Sequence, residues 1–243
     1  VIMMIHTACT ALSAVSVPLA YREYAHGNTE GLVKVLRIFS KFVGLSMAFP
    51  LAYLLILCPQ ILEVWLGPGY SEVYPMLYVM VPIEVLICTV SALVDVPVVF
   101  TRVRPMAVAT LGFGLFNIVS ALVLLHFTDF GVMAVCFCWV LSMMLLKLVF
   151  FPLFCARLTG GGLWDYLKPV VESYAVFGIL LAVMYVFFTL LPPSATWLGI
   201  LIPFFGLFAV YFVLEMRFMF SKDEMKTIKT YLPGFVQRFI RSD

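Results

Sequence analysis

Charge is what this chain has least of. Asp, Glu, Lys and Arg make up 12% of its 243 residues, against 64% hydrophobic residues, whereas an ordinary soluble domain carries about 25% charged residues. That shortage excludes a water-soluble globular domain. The net charge of +2 is spread over separate regions rather than gathered on one basic face, so no nucleic-acid partner is expected. Histidine is scarce as well: His6, His26 and His126 are too scattered for a metal site. The six cysteines, Cys9, Cys58, Cys88, Cys136, Cys138 and Cys155, lack metal-site spacing. Cys136 and Cys138 point roughly 200° apart on a helix, and all six read as small apolar packing residues rather than disulfides or ligands. Gly160-Gly161-Gly162 is not followed by the Lys-Ser/Thr of a phosphate-cradling loop. Neither a Glu-x-x-His arrangement nor a nucleophilic Ser elbow is present, so the expectation is no catalytic residue, no enzyme and no cofactor.

What the chain does have is long apolar runs. Seven can be read, at about 1–20, 37–58, 75–98, 105–126, 131–155, 169–191 and 197–217. Each approaches the roughly 20 residues that cross a ~30 Å hydrocarbon core at 1.5 Å per residue. The fold class is therefore all-α: a polytopic bundle of seven transmembrane helices.

The cations test that count independently. If the chain crosses seven times, the gaps alternate between two faces. Arg22, Lys34, Arg37, Lys41, Arg102, Arg104, Lys147, Arg157, Lys168, Arg217, Lys222, Lys226, Lys229, Arg238 and Arg241, all fifteen Lys and Arg residues, go to one face. The gaps at about 59–74, 127–130 and 192–196 hold none. The positive-inside rule makes the basic face cytoplasmic, so residue 1 starts outside and the C-terminus lies in the cytoplasm. A first crossing from outside needs preceding chain to carry it there, and Val1 opens no signal peptide. These residues are expected to be the C-terminal part of a longer protein.

Local signals fill in the picture. Residues 25–36 read as a turn and then an amphipathic helix running into the second segment. Pro50 lies within that segment and removes one backbone hydrogen bond, which predicts a kink or a locally opened helix. The outer loop 59–74 carries Trp65, Tyr70, Tyr74 and the Gly67-Pro68-Gly69 turn, an interfacial aromatic belt with acids and no cations. Trp164 and Tyr166 mark the inner interface, and Trp197 the outer one. Ser221 and Glu224 have capping-box spacing, and the tail beyond them reads as a basic amphipathic helix on the inner membrane surface.

The sharpest constellation lies in the third segment. Glu84 falls about 13 Å down from its outer end, near the midplane. Cys88, Ser91 and Asp95 follow at offsets that an ideal helix brings back onto one face. A carboxylate at that depth costs several kcal/mol unless it faces other helices or a watery cavity. Two readings stay open: a cavity-lining group for a cation, a proton or a sugar hydroxyl, or a protonated Glu84 bonded between helices with Asp95 merely solvated. Asn117, near the midplane of the fourth segment, either bonds a neighbouring helix or lines the same cavity. Lys147 lies in the inner part of the fifth segment and can snorkel to that end. Glu172 and Glu215, at inner helix ends, are expected to pair with nearby bases.

The run Pro18, Gly27-Asn28, Leu32 and Lys34, then Pro50 and Trp65-Leu66-Gly67, resembles the C-terminal lobe of polysaccharide flippases. The likeness continues through the Arg102–Pro105 turn, Asn117, Gly131, Trp164-Asp165-Tyr166-Leu167-Lys168 and the capped tail at Ser221–Glu224. These are lipid-linked oligosaccharide exporters of O-antigen type in the multidrug/oligosaccharidyl-lipid/polysaccharide (MOP) superfamily, with a MATE-like fold. The resemblance implies five helices of a C-terminal lobe at 1–155, two additional helices at 156–217 and a cytoplasmic amphipathic tail at 218–243. It implies an N-terminal lobe upstream and alternating access around a central cavity. The expected cargo is a polyprenyl-diphosphate-linked oligosaccharide, flipped across a bacterial inner membrane for surface polysaccharide or lipopolysaccharide synthesis. A polymerase and glycosyltransferases are the implied partners besides the bilayer. Glu84, Ser91, Asp95, Asn117 and Lys147 are the candidate cavity residues, with proton or sodium coupling at Glu84. Lys147, Arg102 and Arg104 are the cations available to a diphosphate. A cation-coupled multidrug or metabolite exporter, or a non-transporting scaffold for polysaccharide synthesis, are the alternatives.

Overall fold

A computed structural model describes residues 2–221 and 224. Seven helices in it are long and apolar enough to cross a membrane: Met3–Ala25, Thr29–Ile56, Ser71–Val99, Val103–Phe127, Val132–Thr159, Leu163–Leu190 and Trp197–Met219. The chain is a polytopic helical bundle. The count matches the expectation, and most spans run longer than the apolar runs alone suggest.

Local chemistry explains where the spans start and stop. Gly27 turns the chain at φ 67°, and the Asn28 side chain then accepts the Gly31 N–H at 3.0 Å to open the second span. The amphipathic stretch read from sequence and the apolar segment behind it are one helix, Thr29–Ile56. Gly160, left-handed at φ 72°, closes the fifth span. Asp165 accepts the Gly162 N–H at 3.2 Å at the head of the sixth, and Thr196 accepts the Gly199 N–H at 3.1 Å at the head of the seventh. The expected outer loop 59–74 is largely ordered: Cys58–Leu66 is a further helix with Pro59 in its first turn, and Ser71–Val73 is a 3-10 turn.

The second span is the centre of the bundle. It is 78% buried over its apolar window, whereas the fourth and seventh spans are 6% buried. It packs most extensively on the sixth span, then on the third and the first. Gly44 makes that packing possible: a Cβ there would meet Ser173 Oγ of the sixth span and Thr89 Oγ1 of the third at 2.3 Å. The fourth span lies against the fifth, and the exposed faces of the fourth and seventh are apolar, as lipid requires.

Pro50 does not interrupt its helix, which continues to Ile56. The proline leaves the Ser46 carbonyl without its helical partner N–H. The irregular turns lie elsewhere. The first span breaks at Val15 between Ile2–Ala14 and Ser16–Ala25. The third passes from α-helix at Val90 into a 3-10 turn, Ser91–Leu93. The fifth and seventh contain π-helical turns, Leu145–Phe150 and Glu215–Met219.

Candidate functional site

At the cation-bearing end, ion pairs tie the spans together. Arg37 meets Asp165 at 3.5 Å, and Lys41 meets Glu172 at 3.3 Å and Glu224 at 3.5 Å. Lys168 approaches Glu172 at 3.9 Å one turn away, so Glu172 pairs with bases as expected. Ser221 and Glu224 form the anticipated capping box: Ser221 N–H donates to the Glu224 carboxylate at 2.9 Å and Glu224 N–H to Ser221 Oγ at 3.2 Å. Burial acts to raise the Glu224 carboxyl, but the Ser221 N–H and the Lys41 ammonium outweigh it and hold the group below its ordinary value. The amphipathic tail proposed beyond it falls outside the described residues.

The deep polar site lies where the first, third and fifth spans meet. Glu84 is 4% exposed. His6 Nδ1 lies 3.7 Å from its Oε2. One turn further in, the Cys9 thiol donates to the Cys88 carbonyl at 3.7 Å, and beyond that the Ser13 and Ser91 hydroxyls are in contact. His6, Cys9 and Ser13 recur at intervals of three and four, so they share one face of the first span. The result is a three-rung polar ladder between the first and third spans. Glu84 and Ser91 belong to it as expected. His6, Cys9 and Ser13 were missed from sequence; their spacing on one face was the available signal.

Lys147 faces the same ladder. Its ammonium is near enough to Glu84 to act on it electrostatically, without forming an ion pair within 4.0 Å, and lies 4.7 Å from the centroid of the Phe151 ring. The expected snorkelling near the inner end is corrected here. The fifth helix continues to Thr159, which leaves about 18 Å of helix between Lys147 and that end. The π-helical turn Leu145–Phe150 carries Lys147, and such turns widen a helix and re-aim its side chains.

Asp95 and Asn117 are not part of the ladder. The shared face predicted for Glu84 through Asp95 assumed continuous α-helical rotation, and the 3-10 turn at Ser91–Leu93 ends that rotation. Asp95 is half-buried at the turn opening Val96–Val99, where its carbonyl accepts the Val98 and Val99 N–H groups. Asn117 is half-buried on the fourth span, and its Oδ1 has no hydrogen-bond partner. Of its two readings, the bond to a neighbouring helix is not formed among the described residues.

Among the described residues, Glu215 meets a hydroxyl rather than the expected base. It is 1% exposed, and Oε1 accepts the Ser46 hydroxyl of the second span at 2.9 Å. The nearby cation of the second span, Lys41, is held by Glu172 and Glu224 instead.

All six cysteines are buried and free. No family model matches the chain, and no solved structure matches it. The chain is similar to an uncharacterized membrane protein, EpsK, of Bacillus subtilis (strain 168), with 27% identity over 177 residues. The match covers 72% of this chain and 35% of that relative, so it spans about a third of the relative's length. Seven membrane-competent helices and a membrane-protein relative identify a multi-pass membrane protein.

Proposed function

We propose that this chain forms part of a transporter that flips a polyprenyl-diphosphate-linked oligosaccharide between leaflets by alternating access. The supporting observation is the charged and polar ladder deep in the bundle, with Glu84 and Lys147 on neighbouring spans. Ionisable groups at such depth are costly and are characteristically retained where a polar cargo or ion must pass. In this reading Lys147 attracts the diphosphate while Glu84, His6 and Ser91 meet the sugar hydroxyls or a coupling proton or sodium ion. The lipid tail stays in the bilayer. The cation-rich end is cytoplasmic, so the C-terminus lies inside and transport runs outward across the inner membrane of a bacterium. An upstream lobe supplies the rest of the cavity, with a polymerase and glycosyltransferases as working partners. The chain itself carries out no covalent chemistry.

Replacing Glu84 by Gln in the full-length protein is expected to impair surface polysaccharide export while the protein remains in the membrane. Normal export would remove Glu84 from the mechanism. The dense packing of Glu84 favours a second reading, a non-transporting module that scaffolds other membrane proteins. A Cys placed at position 84 distinguishes them: labelling by a water-soluble thiol reagent in cells supports transport, and full protection supports the scaffold.

A further inference from the structure

The seventh span touches the bundle through two polar contacts of unusual placement. Tyr211 donates to the Leu45 carbonyl at 2.7 Å, and one turn later Glu215 accepts from Ser46 at 2.9 Å. Both land on the second span just before Pro50. That proline has no N–H to give the Ser46 carbonyl, so an electron-rich oxygen stays without its helical partner. Glu215 Oε2 is buried and has no hydrogen-bond partner. The π-helical turn starting at Glu215 widens the helix there.

Among the described residues, no Lys or Arg forms an ion pair with the carboxylate. On its own span, Tyr211 lies one turn back, and Arg217, two residues on, is exposed. On the second span, Lys41 is paired with Glu172 and Glu224, and Arg37 with Asp165. On the sixth span, Glu172 is occupied by Lys41 and Lys168. Ile38, Leu45, Phe42, Val176, Met216 and Phe220 form an apolar cluster around this seam. A bare carboxylate with one donor is strongly disfavoured in such surroundings. A neutral carboxylic acid satisfies them.

From this geometry we infer that Glu215 is a reversible proton-binding site that controls the docking of the seventh span on the second. With the proton bound, the acid is neutral and the seam stays closed. Loss of the proton to water leaves a negative charge held by the Ser46 hydroxyl alone, and the seventh span loosens at its cation-bearing end. The inference goes beyond the transport proposal, because the titration is read without substrate and either one stands if the other fails.

The test uses full-length protein in liposomes with Glu84→Gln as background, which removes the other deep carboxyl. Infrared difference spectra between about pH 5 and about pH 9 should show a protonated-carboxyl band that disappears as pH rises. Glu215→Gln should abolish that band. Ser46→Ala removes the donor to the ionised form, so the band should survive to higher pH; this variant carries the test if Glu215→Gln fails to fold. A band absent or unchanged across the range overturns the inference. Loss of the band on adding sodium at constant pH overturns it in favour of a sodium site.

Discussion

Glu84 and Glu215 are both buried carboxylates in membrane-spanning helices, yet their surroundings differ in kind. Glu84 has a cation on the fifth span, a histidine on the first and further polar rungs behind it. Glu215 has one hydroxyl, and apolar groups otherwise. A cation near the carboxylate without closing into an ion pair is what the transport proposal asks of a cargo site. A carboxyl whose neighbours are one hydroxyl and a seam of hydrocarbon holds at most a proton. The comparison teaches that depth alone does not assign a role to an intramembrane acid; the countercharge does.

Removing one member of the Glu84–Lys147 couple is the hardest test of that distinction. Lys147→Met should cost about 1–3 kcal/mol of stability, because Glu84 is then left buried with no cation nearby, and export should fall with it. Adding Glu84→Gln to Lys147→Met should restore most of the stability but none of the export. A double variant no more stable than the single one, measured by thermal unfolding in detergent, would mean the two groups are not coupled.

Next in size is Gly44→Ala. Its methyl group would collide with Ser173 and Thr89, an overpacking expected to cost about 1–3 kcal/mol. Ser46 lies roughly 200° further round the same helix, so this change pushes on the third span and spares the Glu215 seam. Hydrogen exchange should therefore rise around Glu84 and stay unchanged at residues 211–215. Equal effects at both would show that the two sites are not independent.

The contrast also explains what the sequence disclosed. Span number and the Ser221–Glu224 capping box depend on local composition and spacing, and they were legible. So was the isolation of Glu84 in an apolar run. The partners of Glu84 were not, because His6 and Lys147 lie far from it in the chain and meet it through helix packing. Asp95 was misplaced by assuming ideal rotation, when one 3-10 turn suffices to break a face. Glu215 was misread because position near a helix end suggested a base, whereas Lys41 had two other acids within reach. Irregular turns account for much of the shortfall: Ser91, Lys147 and Glu215 all sit on them, and no residue pattern announces a π-helical turn.

A milder pair of changes sharpens the same comparison. Glu215→Gln keeps a polar group for Ser46 and removes the ionisable one, so its cost at neutral pH should stay within about 1 kcal/mol. A loss as large as that of Lys147→Met would mean that Glu215 is charged and has a countercharge of its own.

The smallest effect belongs to Glu224, the carboxylate at the water-facing end of the same bundle. Its folded-state value is lowered, so the stability it contributes is complete above the unfolded carboxylate value of about 4.3 and disappears as pH falls through the lower folded value. The half-buried pair with Lys41 is screened, which limits Glu224→Gln to about 0.5–1 kcal/mol. Its melting temperature should trail the parent's at pH 7 and converge with it on acidification. Glu215→Gln should show the opposite trend if the seam binds a proton: little difference in acid, and a relative gain in stability as pH rises and the parent alone must bury a charge. Melting curves of the two variants running parallel across that range would erase the distinction between a carboxylate held by a cation and one kept neutral by its proton.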